Sequence, residues 1–282
     1  MSKGISFKKE LVCCFGDPIW DNPTEVVMEA AFQHHDMDYR YVTTLVSADN
    51  LKTAFEGLKA MGYRGFNCTI PHKVEIIKYL DGLGESAKII QAVNCVVERD
   101  GKYIGENTDG KGFIESINTK VNPSGKRVLV FGAGGAARAV TVELALAGAA
   151  HITVVNRSVE RGEGLLEILA QTKVPSKLIV WEGEYAVTAD IDIVINCTSI
   201  GLSPDIKMLP VKVSSLMSHM VVCDLIVNPP LTPFLKSAQG EGCVILDGLG
   251  MLVNQGRIGI KYWSGVDVDP QVMLQKMRQI YS

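Results

Sequence analysis

The segment GAGGAARA, Gly132 to Ala139, narrows the available folds more than any other stretch of the chain. It directly follows the apolar run RVLVF and opens a stretch of helical period ending at Gly148, after which a second apolar run, HITVV, begins. Strand, glycine-rich turn, helix and strand in that order make a βαβ unit, and Gly132, Gly134 and Ala137 have the spacing of a dinucleotide-binding fingerprint. Gly132 permits the tight turn, Gly134 lets backbone approach a pyrophosphate, and Ala137 lets the helix lie close on the strand. The amides that open the helix then face the phosphates. A tight turn of small residues is the plain alternative, and the flanking pattern favours the fingerprint. The second strand ends Asn156-Arg157-Ser158, with Arg161 one turn on. An NAD enzyme usually places a carboxylate there for the ribose 2′-hydroxyl. An amide, a guanidinium and a hydroxyl suit a 2′-phosphate instead. NADP is the expected cofactor; Glu160 keeps NAD open, and a solvated loop charge is the bland reading of Arg157.

On both sides of this unit, strand-like and helix-like segments alternate. ELVCCFG, YRYVTTLV and GFNCTI read as strands separated by the helices PTEVVMEAAFQHH and NLKTAFEGLKAMG. That alternation implies parallel pairing through crossovers. VEIIKYLDGL and ESAKIIQA read as helices, and NCVVERDGKYIGENT as a hairpin turning at Asp100-Gly101. KGFIESINT then reads as a helix. KLIVW, IDIVIN, MVVCDLI and CVIL are continuous apolar runs of the kind found where both sheet faces are covered. Two helices, MLVNQGRIGIKYWS and DPQVMLQKMRQIYS, close the chain. With 282 residues, two domains are expected, with a boundary near residue 111. The net charge of −3 without a basic block speaks against a nucleic-acid or membrane-surface partner. The opening MSKGISFKKE has no apolar core of a signal segment, and no apolar run approaches the roughly 18 residues of a spanning helix. A soluble, cytoplasmic protein is expected. Seven scattered cysteines without a Cys-x-x-Cys pair fit buried thiols in a reducing compartment. No metal site is expected.

Two polar islands interrupt the apolar pattern. GFNCTIPHKVEII alternates Asn67 and Thr69 along a strand, stops at Pro71, and brings in His72 and Lys73. GENTDGKGF sets Asp109 just before a helix, where a carboxylate can be merely an N-cap. Taken singly, Lys73 reads as a surface lysine. With the colinear stretches GDPI, AVNCVV, GAGGAARA, NRS, INCTSIG, NPPLTPFL and GLGMLVNQG, however, the chain resembles the shikimate/quinate dehydrogenase family along nearly its whole length. The resemblance implies a two-domain α/β protein. An αβα substrate domain spans 1–111 and is completed by 249–282, a Rossmann domain spans 112–248, and substrate binds in a cleft between them. It implies Lys73 and Asp109 as the catalytic pair, with substrate contacts from Asn67, Thr69, Asn94 and Gln255 and a lining role for Asn107. Cofactor contacts would come from Gly132, Ala133, Gly134, Gly135, Ala136, Asn156, Arg157, Ser158, Arg161, Thr198, Ser199 and Gly250. Oxidising a secondary alcohol sends a hydride to nicotinamide and a proton to a base. A lysine, ordinarily near 10.4, is brought into range by desolvation and oriented by a carboxylate.

The same resemblance exposes departures. The family's entry strand carries two serines that bind the substrate carboxylate; here Asn22 and Thr24 stand at those places, with Pro23 between them. Both are kept as candidate substrate contacts. The competing reading has Asn22 as N-cap, Pro23 at N1 and Glu25 at N3 of a helix. Val227 replaces a common tyrosine that also meets the carboxylate, Cys95 a threonine, Gln91 a glycine and Asn254 a histidine. Asp21 and Glu25 make an anion less welcome. The expected activity is NADP-linked interconversion of 3-dehydroshikimate and shikimate, with weak shikimate turnover. Quinate, an aminoshikimate or another cyclic polyol acid is the alternative substrate, and an NADP-binding sensor the alternative of another class. A small cyclic hydroxy acid is the expected partner, and monomer and homodimer both stay open.

Overall fold

The computed structural model describes residues 8–281; residues 1–7, on which the reading of the N-terminal segment falls, and Ser282 lie outside them. The described chain divides into two compact units. One runs up to Asn107 and takes in Gly256–Ile280; the other is Thr108–Gln255.

The first unit is built from β1 (Glu10–Gly16), α1 (Thr24–His34), β2 (Tyr39–Leu45), α2 (Leu51–Ala60), β3 (Gly65–Cys68), α3 (His72–Glu75), β4 (Gly82–Leu83), α4 (Glu85–Ile90), β5 (Cys95–Arg99) and β6 (Lys102–Glu106). Its sheet has the order β2-β1-β3-β5-β6-β4. The pairs β1–β2 and β1–β3 are parallel, while β3–β5 and β5–β6 are antiparallel. Asp100 and Gly101, both at positive φ (52° and 77°), form the turn of the β5–β6 hairpin. Side chains alternate across the sheet. Cys13, Phe15, Phe66 and Cys68 share a buried cluster with Phe55 and Leu58 of α2. Phe66 packs on Phe15 at 4.9 Å and on Phe55 at 5.7 Å between ring centroids.

The expected helix VEIIKYLDGL does not form as one element. Helix α3 lasts four residues, a 3₁₀ turn follows over Ile76–Tyr79, and the chain then extends into β4 beside β6. Asp81 donates its N–H to the Tyr103 carbonyl and Gly84 donates to Gly105, so sheet bonds replace helical ones. The apolar run carries no information to tell these outcomes apart.

The second unit contains α5 (Asp109–Ile117), β7 (Arg127–Phe131), α6 (Gly135–Leu146), β8 (His151–Asn156), α7 (Val159–Ala170), β9 (Ser176–Val180), β10 (Ile193–Asn196), β11 (Val221–Asp224), α8 (Pro233–Gly240) and β12 (Val244–Leu246). Its sheet is parallel throughout, in the order β12-β11-β10-β7-β8-β9. The chain builds outward from β7 to β9, then returns to build the other half from β10. The switch point of this doubly wound sheet therefore lies between β7 and β10, where ligands bind at the strands' carboxyl ends. Helix α8, not anticipated above, starts with Thr232 as cap and Pro233 in the first turn, and the Thr232 hydroxyl accepts from Leu235 N–H. Helix α9 (Leu249–Ser264) begins in the second unit and continues into the first, and α10 (Pro270–Ile280) closes the described chain.

Candidate active site

In the first unit, the residues of interest gather at the carboxyl ends of β1 and β3. Asn67 is buried with both ends of its amide engaged. Its Oδ1 accepts from the Tyr41 hydroxyl (2.7 Å), and its Nδ2 donates to the Asn94 carbonyl (2.9 Å). Asn94 is itself buried, and its carbonyl also accepts from Cys68 N–H. Asn67 thus fixes the neighbouring strand end. Thr69, half-buried, packs its methyl against Gly16. His72 is 1% exposed, and its Nε2 donates to the Val46 carbonyl at 2.7 Å, which anchors α3. Lys73 follows half-buried, its carbonyl accepting from Val93 N–H at 2.7 Å. The buried Cys14 thiol is pushed up to about 11 by burial, while a Tyr41 hydrogen bond and the Lys73 charge pull it the other way. Lys73 also lowers Cys68 against the same burial effect, so its ammonium lies within electrostatic reach of both thiols. Asn107 is buried and donates to the Ala92 carbonyl at 3.1 Å.

Asn22 Oδ1 accepts from Thr24 N–H at 2.9 Å, and Pro23 is already helical, so Asn22 caps α1. The reciprocal half of a capping box does not form. Glu25 instead accepts from Thr43 N–H of β2 at 2.7 Å, so its charge is committed to the sheet.

In the second unit, Asp109 is the first residue of α5 and half-buried, and Thr108 occupies the cap position. The N-cap reading of Asp109 is corrected accordingly. Glycines of the same motif set the helix closely. A Cβ on Gly110 would strike the Ala139 backbone and Glu143 of α6, and one on Gly112 would meet Gln255 N at 2.6 Å. The Thr108 hydroxyl lies 3.5 Å from Gln255 Oε1, and Gln255 is 8% exposed. A Cβ on Gly250 would strike the Ser116 hydroxyl.

At the switch point, Gly132 has φ +102°, and its Cα approaches the loop after β10 so closely that a Cβ would lie 3.1 Å from Thr198 and 3.2 Å from the Cys197 carbonyl. Gly134 and Gly135 differ. Both are exposed, and a Cβ on either would meet no protein atom within 4 Å. Above the amino end of α6 there is therefore an open cradle with free backbone approach and no acidic residue in the helix's first turn. Ala133 is buried and Ala136 exposed. This arrangement fits a pyrophosphate. At the end of β8, Asn156 Nδ2 donates to the Ser158 carbonyl (2.7 Å) and the Ser158 hydroxyl accepts from Arg161 N–H, capping α7. Arg157 and Arg161 are exposed cations at that strand end.

Sequence reasoning missed what holds the β10 and β11 loops. Asn196 and Asp224 are register partners at the ends of these strands. Asp224, fully buried, accepts from Asn196 Nδ2 (3.0 Å), Ile226 N–H (3.1 Å) and the Thr232 hydroxyl (2.7 Å). Asn196 Oδ1 in turn accepts from the Thr198 N–H and hydroxyl, and the Thr198 hydroxyl accepts from Ile200 N–H. Burial raises the Asp224 carboxyl to about 6, against the three hydrogen bonds that lower it. The available signal was a polar residue closing each of two apolar strands. Ser199 is exposed and Val227 half-buried beside this network. All seven thiols are free, and among the described residues no group of three or more His, Cys, Asp or Glu could hold a metal. No described helix is long and apolar enough to cross a membrane.

Residues 14–96 match the shikimate dehydrogenase substrate binding domain, 115–241 the shikimate/quinate 5-dehydrogenase family, and 248–278 the shikimate 5′-dehydrogenase C-terminal domain. The shikimate dehydrogenase (NADP(+)) of Desulforamulus reducens is 38% identical, covering 95% of this chain and 94% of its own. A shikimate dehydrogenase solved in complex with NADP+ superposes with a TM-score of 0.89 at 38% identity, covering 99% and 98% of the two chains. The ligand-free 5-ketofructose reductase of a Gluconobacter species superposes with a TM-score of 0.95 at 48% identity, covering 98% of this chain and all of that one. The chain belongs to the shikimate/quinate dehydrogenase family. It is a two-domain α/β oxidoreductase, an NAD(P)-dependent dehydrogenase of the shikimate dehydrogenase type.

Proposed function

We propose that this chain is an NADP-linked reductase of a neutral polyhydroxylated ketone of the 5-ketofructose kind, rather than a dehydrogenase tuned to shikimate. The carrying observation is the composition of the positions where the family binds a substrate carboxylate. Asn22 commits its amide oxygen to the cap of α1 and keeps only its Nδ2 as a donor, Thr24 is half-buried with one hydroxyl, and Val227 has no hydrogen to donate. Losing one hydrogen bond to a charged group costs about 1.5–3 kcal/mol, roughly ten- to a hundredfold in binding. A carbonyl compound without a carboxylate bears none of that cost. The full-length likeness at 48% identity to a protein named 5-ketofructose reductase supports the same choice.

When bound, NADPH supplies the hydride. Lys73, as ammonium, would hydrogen-bond the carbonyl oxygen and give it the proton, so that the reduced ketone leaves as a secondary alcohol. By the family's N-T-D-G motif, Asp109 is the carboxylate assigned to the proton relay that recharges this lysine from water. Thr69 and Asn94 position hydroxyls, and Asn67 holds the strand end that carries them. On the cofactor side, the open backbone at Gly134 and Gly135 would hold the pyrophosphate, and Arg157 and Arg161 the 2′-phosphate. Gly132 sets the turn against Thr198.

A substrate panel tests this directly. Purified protein with NADPH should reduce 5-ketofructose with a kcat/KM at least about tenfold above that for 3-dehydroshikimate. Lys73→Ala should lower turnover by about 10²–10⁴ while NADP+ binding shifts far less. A low KM for 3-dehydroshikimate would overturn the substrate reading. No turnover of any polyhydroxylated ketone or cyclic hydroxy acid would favour the sensor.

A further inference from the structure

We infer that Trp20 is a substrate-binding and specificity residue, whose indole face receives the C–H face of the polyhydroxylated ketone. This rests on the substrate reading above and adds a contact that the family motifs do not contain.

Of the three tryptophans, Trp181 and Trp263 are each 7% exposed, and Trp263 donates its Nε1–H to the Val96 carbonyl. Trp20 is 78% exposed, the highest value among the described large apolar side chains. It does not sit on a loose tail. Asn22 N–H donates to the Ile19 carbonyl at 3.3 Å, which makes Trp20 and Asp21 the two central residues of a turn. One foot of that turn is Ile19, 4% exposed; the other is Asn22, held by its cap bond to Thr24. Asp17 N–H donates to the Ile70 carbonyl at 3.0 Å, tying the loop to the segment that carries Thr69 and Lys73. A fixed backbone thus presents a large apolar ring that the unit's core does not use, two residues before Asn22.

The chemistry of the ring indicates the ligand. A polyhydroxylated ketone directs hydroxyls outward and leaves C–H bonds on its faces. Those hydrogens carry partial positive charge, and an aromatic face is negative, so the two surfaces attract while water leaves both. Asp17 and Asp21, both exposed in the same loop as Trp20, disfavour an anion there. Neutral ligand and aromatic platform therefore select one another. A contact with a second copy of the chain is the competing use of the ring.

Full-length protein, Trp20→Ala and Trp20→Phe are compared with NADPH, using 5-ketofructose and 3-dehydroshikimate as probes. On the compound that wild type reduces, W20A should raise KM about tenfold with a smaller fall in kcat, and W20F should recover most of the loss because it keeps an aromatic face. The KM for NADPH should follow wild type. Unchanged KM in W20A overturns the inference, and a lower solution mass accompanying it would assign the ring to a subunit contact. If 3-dehydroshikimate is reduced and 5-ketofructose is not, the substrate reading fails. Stacking is then decided by the same KM ratio on 3-dehydroshikimate, where a rise supports it and no rise overturns it. Turnover of neither compound overturns both.

Discussion

A carboxyl group buried among neutral partners is an unusual thing to keep, and Asp224 is one. Three donors satisfy it, yet burial still raises it to about 6 from an ordinary 3.8. The native state therefore holds this proton more tightly than the unfolded chain does. Its contribution to stability is complete below about pH 3.8 and is lost as pH rises through about 6. About two pKa units correspond to roughly 3 kcal/mol. Asp224→Asn keeps one acceptor oxygen for Asn196 and Ile226, turns an NH2 donor toward the Thr232 hydroxyl, which can accept it, and removes the titration. Urea unfolding of both proteins between pH 4 and 7.5 should show the variant gaining on wild type across this window. Parallel profiles would refute the assignment. Asp224→Ala should instead destabilise at every pH by about 3 kcal/mol or more, because it strands several donors in the interior.

Strand β2 illustrates what an element needs beyond its own sequence. It is the edge of the first unit's sheet, with Val42 and Leu45 exposed at 43% and 48%. An apolar edge invites pairing with another chain. Glu25 and Glu29, one turn apart on α1, accept from the Thr43 and Tyr41 N–H groups at 2.7 and 2.6 Å, and Glu29 also holds Arg40 at 3.0 Å. Carboxylates thus occupy the donors an incoming strand would use. The double variant Glu25→Ala/Glu29→Ala should lose about 1–3 kcal/mol in urea unfolding and scatter more light on warming. The pair Glu25→Gln/Glu29→Gln keeps acceptors and should lose less. None of this was legible in the sequence. Locally, Asn22 followed three residues later by Glu25 reads as a capping box, and only the arrival of β2 redirects the glutamate. The Asn196–Asp224–Thr232 network was hidden for the same reason, since its members meet only through the register of β10 and β11. The runs RVLVF, IDIVIN and MVVCDLI, by contrast, announce buried parallel strands by composition alone, and Asp100-Gly101 announces its hairpin. The segment after Lys73 was illegible because a short apolar run serves a 3₁₀ turn and an added strand equally well.

At the scale of the whole molecule, the glycine fingerprint and its strand context were readable from physical pattern. The meaning of Lys73 and Asp109 was not, because a lysine after a strand and an aspartate at a helix start are common, and only the colinear family motifs singled them out. The chain path carries a further consequence. The second unit is continuous, Thr108–Gln255, whereas the first is closed by residues 256–280 returning after it. Helix α9 crosses from one to the other without interruption, and its early turns pack on α5 through Gly112 and Gly250. Beyond the crossing, Gly256 lies against Met28 of α1 and Met273 of α10. Unwinding the second unit would release the start of α9, leaving the rest of that helix to hold the first unit from a frayed end. The two units should therefore unfold as one cooperative transition. A ligand that binds only folded protein stabilises it by about 2.7 kcal/mol at a hundred times its Kd. If α9 couples the units, added NADP+ should shift a single calorimetric transition upward as a whole. If it does not, two transitions will separate as NADP+ is added, with only one of them moving.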